Sequence, residues 1–381
     1  MDEKDLQDIL LDILRCSLKG EDNVAQLNEV LTPDVILAVY KLANKHSLAH
    51  LVSRYVFANQ LPVPKELARR FQQADVRCVL NHEKMKLAYL QICDAFEGAR
   101  IDYIPLKGSV LREHYPDESM RTSCDIDILV REEELDRAVA VLEQKQFQVG
   151  ERNFHDVSLF APNGIHLELH FSLCEKMDRL DAVLKNAWNH AVLEQGSRYA
   201  FKDAFFLFHQ FSHMAYHFQS GGCGIRSLMD IWVMEHHMKL TYSCAEKLLK
   251  KAGIYQFAVE MTKLANRCFS ERNVSDPVLD YIWRGGVYGI KQNEVMVKKT
   301  QSGGFLAYLR KRILKPYTIM TITYPILEKV PILLPFCWVH RWIKAIILGK
   351  TRNVMSEFAF SHRVSDEEDR EIAEICRRLG L

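Results

Sequence analysis

The sequence predicts an α+β protein in which helix predominates and a small mixed sheet is confined to the middle of the chain. Three observations carry that prediction. Residues 6–59 and 65–97 place apolar side chains at helical spacing, as in Leu6, Ile9, Leu10, Ile13 and Leu14. Residues 124–130, CDIDILV, alternate strictly, the period of a half-buried strand. Residues 157–171, VSLFAPNGIHLELHF, read as two strands joined by a Pro-Asn-Gly turn.

Composition narrows the class further. The chain has 381 residues, 48% of them apolar, enough for a sizeable core and for more than one domain. Only 11 Pro and 17 Gly, without a low-complexity tract, exclude a disordered or collagen-like chain. Lys and Arg (50) balance Asp and Glu (49), so a general nucleic-acid binder is not expected. The ten cysteines are scattered, with no C-x-x-C pair or zinc-finger spacing, which fits a reducing cytosol and mostly buried thiols. The opening MDEKDLQDILLDILRC is acidic and amphipathic, unlike a secretory signal, so a cytoplasmic location is expected.

In chain order, residues 1–99 form an N-terminal helical region. Thr32-Pro33 reads as a helix start, and Pro62-Val63-Pro64 breaks the helical pattern before the long stretch that follows. Residues 100–175 form the mixed core: the apolar run IDYIPLKGS, the CDIDILV strand, a helix over 132–147 and the two strands of 157–171. A third region, 176–300, is expected to be helical and to wall an acceptor or nucleotide pocket, with helix over about 182–266 interrupted by Ser220–Gly224, an interhelical loop in the preferred reading and a lid hinge in the other. Residues 301–381 are a basic, Pro-broken helical region.

The candidate chemistry lies in the mixed core. On a strand, Asp125 and Asp127 share a face while Ile126 and Ile128 point into the core. Two aligned carboxylates repel unless they hold a cation, and oxygen donors suit a hard divalent ion. Cys124, on the opposite face from Asp125, is expected to be a small core residue. Upstream, Gly108-Ser109 closes an apolar run and opens a helix, so Gly108 admits close backbone approach and Ser109 caps the helix or donates to a phosphate. Lys107 beside them can neutralise phosphate charge. Downstream, Glu168 in HLELH puts a third carboxylate on a second strand, with His166 and His170 on its own face.

The segment LKGSVLREHYPDESMRTSCDIDILV, with HLELHF after it, resembles the nucleotidyltransferase superfamily that includes DNA polymerase beta and kanamycin nucleotidyltransferase. More narrowly, it is similar to a bacterial family of uncharacterised nucleotidyltransferases with a K-G, Y-P, R-x-x-x-D-x-D and E-L-H series. The resemblance covers about 100–175 and extends more weakly to 43–52 and 209–234. The interval from Ser109 to Asp125 is longer than in the smallest superfamily members.

That resemblance implies NTP-dependent, pyrophosphate-releasing transfer of a nucleoside monophosphate, AMP in the preferred reading, to a hydroxyl of a small molecule, sugar or protein. Asp125, Asp127 and Glu168 would be both catalytic and metal-ligating, holding two Mg²⁺ (or Mn²⁺) ions. Lys107, Gly108, Ser109 and Arg121 would bind the phosphates, with an ordinary salt bridge as the other role weighed for Arg121. The alternative is a catalytically weak nucleotide-binding or regulatory, partner-binding module of the same fold.

Two further features stand outside that core. His209, His213 and His217 recur at i, i+4 and i+8; with His170, His213 and His217 are expected in a pocket, ahead of a metal role for the three-histidine stripe. Arg226 and Asp230, also i and i+4, read as a helix ion pair. Between Lys291 and Arg352, 12 Lys/Arg stand against Glu294 and Glu328, leaving the rest of the chain at −9. With the apolar and aromatic residues of 305–348, this suggests peripheral contact with an anionic membrane or a grip on a phosphorylated substrate; the preferred reading is a subdomain packed on the core with its lysines exposed.

Overall fold

A computed structural model describes residues 1–20, 25–175, 177–287, 289–302, 310, 313–347 and 366–381. Its N-terminal quarter is helical, as expected: α1 (Glu3–Lys19), α2 (Ala25–Val30), α3 (Pro33–Lys45), α4 (Ala49–Ala58) and α5 (Lys65–Ala99). Thr32 is the N-cap of α3 and Pro33 its first helical residue, although the Thr32 hydroxyl makes no capping bond. The 35-residue α5 serves two cores. Leu67 and Phe71 near its start join the large helical core, while Met85, Ala88, Ile92 and Phe96 near its end pack beneath the sheet.

That sheet contains β1 (Tyr103–Pro105), β2 (Asp125–Val130), β3 (Gln148–Arg152), β4 (Asp156–Phe160), β5 (His166–His170), β6 (Ala191–Gln195) and β7 (Arg198–Phe201). Their spatial order is β3-β4-β5-β2-β1-β7-β6. β2 runs parallel to β5 and β1 parallel to β7; the other pairs are antiparallel, so the sheet is mixed as predicted. On one face Ile126, Ile128, Val130, Leu167 and Leu169 bury against α5 and α7 (Leu135–Gln144). Period-two alternation then forces Asp125, Asp127 and Glu168 onto the other face.

The hairpin β6–β7 corrects the expectation of continuous helix over about 182–266. Residues 191–201 turn at Gly196, whose φ is +56°, and β7 joins the sheet beside β1. The sheet therefore extends past the 175 boundary expected for the mixed core. Helical structure resumes with α9 (Asp203–Gln219), α10 (Ile225–His236), a helix over Glu246–Ala252 and α12 (Tyr255–Ser270). The glycine segment between α9 and α10 is buried rather than lid-like. Gly221 (φ +123°) packs against the Ile290 backbone, where a β-carbon would not fit, and Gly222 (φ +136°) packs against the Gly285 and Gly289 backbones.

The C-terminal region departs from the expected packing. Helices Tyr317–Thr323, Ile326–Lys329 and Leu334–Ile347 gather around their own small core of Met320, Leu327 and Cys337, separate from the main one. Lys311 and Arg312 of the basic cluster lie outside the described residues. Thiol placement is also mixed: Cys16, Cys223, Cys268, Cys337 and Cys376 are buried, but Cys124 and Cys244 are exposed. Cys124 is thus not the core residue that was expected, because it precedes the first paired residue of β2. No described helix is long and apolar enough to cross a membrane.

Candidate active site

The register of β2 on β5 builds the site. Asp125 lies opposite His166, Asp127 opposite Glu168 and Leu129 opposite His170. Neighbouring parallel strands sit about 4.8 Å apart, so the three predicted carboxylates are brought onto one patch. Ligand atoms of Asp125, His166 and Glu168, and separately of Asp127, Glu168 and His170, lie within 4.8 Å of one another.

Charge within the patch is held in place by two partners, Lys107 and His170. Lys107 Nζ donates to Asp127 Oδ1 at 2.9 Å, and His170 Nε2 lies 3.0 Å from the same oxygen and 3.5 Å from Glu168 Oε2. Burial opposes the Asp127 charge, yet Lys107 and His170 outweigh it and hold its pKa well below the usual range. The hydrogen bond from His170 likewise lowers the Glu168 pKa against burial. Among the described residues Asp125 has no such hydrogen-bonded partner: burial, then Asp127 and Glu168, raise its pKa. Lys107 and His170 are themselves raised, because Asp127 overcomes the burial that disfavours their charges.

This donor set fits a hard divalent cation. The carboxylate oxygens suit Mg²⁺ or Mn²⁺, and Asp125 carries a like-charge burden that a cation would relieve. Lys107 reaches the cluster from a sparsely populated backbone conformation, φ +42° and ψ −110°. Such strain survives where surrounding contacts dictate it.

The turn after β1 is only partly as predicted. Gly108 lines the cavity above the carboxylates, and a β-carbon there would run into the Arg121 guanidinium. Ser109 does not line it. The cap position of the short helix Gly108–Leu111 is Lys107, so Ser109 lies inside the helix with its N–H bonded to Leu106. Arg112 braces this turn, donating to the Gly108 carbonyl at 2.8 Å and to Ser123 Oγ at 2.7 Å.

Arg121 takes the salt-bridge role while still lining the cavity. Its Nε and Nη2 donate to the two Asp230 oxygens at 2.8 and 2.9 Å, and Tyr115 donates to Asp230 at 2.6 Å. The expected Arg226–Asp230 helix pair does not form, because Arg121 occupies that carboxylate. Arg226 instead donates to the Thr122 carbonyl at 2.5 Å and lines the cavity, with no carboxylate within 4.0 Å among the described residues. Burial and the nearby Arg121 lower its pKa.

The cavity, about 330 Å³, lies between the sheet face and helices α9 and α10. His213 and His217 line it as predicted, with His170 at its floor; His209 is buried behind the wall. Burial, reinforced by Lys107, pushes His217 down to about 4 and His209 to about 3, and lowers His213 well below the usual imidazole value. Among the described residues the stripe joins no metal-ligand group. Phe211, Met214, Ile231 and Met234 supply the cavity's apolar side.

Ser123, Glu175 and the cavity-lining place of Arg226 were not marked by the sequence. Glu175 lies 3.8 Å from His213 Nδ1, and burial raises its pKa. No local motif marks Glu175, whereas an unpaired Arg226 follows once Arg121 is seen to hold Asp230.

A family model described as an uncharacterised nucleotidyltransferase matches residues 35–270. No curated protein matches. Among solved structures, the solution structure of the antibiotic-resistance factor ANT(2'')-Ia is similar over 49% of this chain and 91% of that chain, at 10% identity and a TM-score of 0.28.

Proposed function

Because the chain belongs to the family of uncharacterised nucleotidyltransferases, we propose that it transfers a nucleoside monophosphate, AMP in the preferred reading, from an NTP to a hydroxyl of a small molecule, sugar or protein. The observation that supports this reading is the in-register placement of Asp125, Asp127 and Glu168 on the floor of a cavity that also presents Lys107, Arg121 and Arg226. Carboxylates alone would repel a nucleotide. Carboxylates beside separate cations suit metal-bound phosphates.

Asp125, Asp127 and Glu168 would hold two Mg²⁺ or Mn²⁺ ions. When bound, such ions stabilise the charge on the attacking and leaving oxygens of an in-line displacement. Gly108 admits the phosphates close to the backbone, and Arg226 meets them with a guanidinium that no carboxylate among the described residues neutralises. Arg121 is oriented by Asp230 and adds its remaining nitrogen. The bond from the α-phosphorus to the bridging oxygen breaks as the acceptor oxygen bonds to that phosphorus; pyrophosphate leaves, and Glu168 takes the acceptor proton. The apolar wall of α9 and α10 would receive the base, and the neutral His213 and His217 would contact the acceptor.

Pyrophosphate release in the presence of Mg²⁺, an NTP and candidate acceptors tests the reading. Loss of release in Asp125→Ala is the expected result; undiminished release in that variant would overturn it.

A further inference from the structure

The helix Leu334–Ile347 is apolar on both of its faces. Its inner face is accounted for: Cys337 is buried in the small C-terminal core, and Trp338 and Trp342 donate to the Lys315 and Ile313 carbonyls at 2.9 and 3.1 Å. Its outer face is not. Phe336, Val339, Ile343, Ile346 and Ile347, with Ile332 just before the helix, are 50–81% exposed. These positions recur every three or four residues and form one stripe. A helix that is apolar all round ordinarily lies in a core or against lipid. So contiguous a patch on an outer surface marks a contact site.

Charge selects the occupant. Over residues 313–347 the sequence carries four cations and one acid, Glu328; Arg341 turns inward to donate to the Ile313 carbonyl, while Lys329 and Lys344 are exposed. Lys344 lies about 80° around the helix from Phe336, at the edge of the stripe, where its chain can extend past the apolar face. A second copy docked face to face would set these cations against their own kind. An anionic surface would attract them. The helix has 14 residues, too few to span a hydrocarbon core, and so suits the plane of a bilayer interface.

We propose that this face docks the protein peripherally on an anionic lipid surface, the stripe entering the headgroup boundary and the flanking cations meeting lipid phosphates. The inference uses no residue of the catalytic cavity and stands or falls apart from the proposed activity. The test is co-sedimentation of the full-length protein with vesicles of pure phosphatidylcholine and of phosphatidylcholine containing 30% phosphatidylserine. Binding at least tenfold stronger to the anionic vesicles and reversed by 0.5 M salt is expected. Phe336→Asp with Ile343→Asp should abolish it and Lys344→Glu should weaken it severalfold. Both apolar positions are exposed, and an unchanged near-ultraviolet circular dichroism spectrum checks that the fold is kept.

Any of four results would overturn the proposal: no sedimentation with anionic vesicles, equal sedimentation with neutral ones, binding that survives the double substitution, or a lipid-free dimer that the double substitution dissolves. The last would assign the face to a second copy of the chain.

Discussion

Replacing Asp127 with Asn should weaken the fold as well as the chemistry. The substitution keeps the volume and removes one buried charge. Asp127 is 6% exposed, and its Oδ1 receives both Lys107 at 2.9 Å and His170 at 3.0 Å. Removing one partner of a buried ion pair costs about 3–5 kcal/mol, because the other charge stays buried. Glu168, 3.5 Å from His170, still compensates in part, which puts the expected cost near the lower end of that range. A loss of about 3 kcal/mol corresponds to a fall in melting temperature of roughly 6–12 °C for a domain of ordinary size. The assay is thermal unfolding by circular dichroism at pH 7.5 with a chelator present, so that metal binding does not enter. The deficit should narrow as the pH rises and the stranded Lys107 sheds its proton. A variant that melts within 1 °C of the parent would refute a charged, buried Asp127.

Other outcomes follow from the same geometry. Arg226→Ala should weaken NTP binding at least tenfold by calorimetry while leaving the melting temperature nearly unchanged, since among the described residues its hydrogen-bond partner is a carbonyl; equal affinity would remove it from the phosphate site. Arg121→Ala should instead destabilise the fold by about 1–3 kcal/mol, because the half-buried Asp230 loses its bidentate partner; unchanged urea unfolding would contradict that. His46 and His50 are held neutral by burial, each with its pKa lowered to about 4, so the unfolded chain binds more protons below about pH 6.5. Stability should therefore fall as pH drops from 6.5 towards 4, and a flat melting profile across that window would be inconsistent with it. Gly221→Ala, at φ +123° and against the Ile290 backbone, should cost about 1–3 kcal/mol in a denaturant titration.

The carboxylates were legible because strand period is a rigid rule: once 125–130 alternates, Asp125 and Asp127 must share a face. Glu168 was legible for the same reason on β5, although only the parallel register places it opposite Asp127. The partners of Arg226 and Asp230 were not legible. Their spacing favours a local pair, but Arg121 reaches Asp230 from 109 residues away with a bidentate geometry that the helix neighbour does not match. Local propensity also hid the β6–β7 hairpin, where Leu193, Glu194 and Gln195 are good helix formers and pairing with β1 decides the outcome. Ser109 failed as a cap because the helix begins at Gly108, two residues earlier than a Ser109 cap would need. The C-terminal region showed its basic, apolar composition, but composition alone did not reveal that its apolar stripe faces outward.

The most direct test of the central claim follows the label of an NTP. Parallel reactions with Mg²⁺ and a cell extract as the acceptor source would use ATP labelled at either the α- or the γ-phosphate. The α-label should enter an acceptor while γ-label leaves as pyrophosphate, and Asp125→Asn and Asp127→Asn should abolish the transfer. Entry of γ-label into the acceptor, or α-transfer at the parent rate in the Asp127 variant, would contradict that claim.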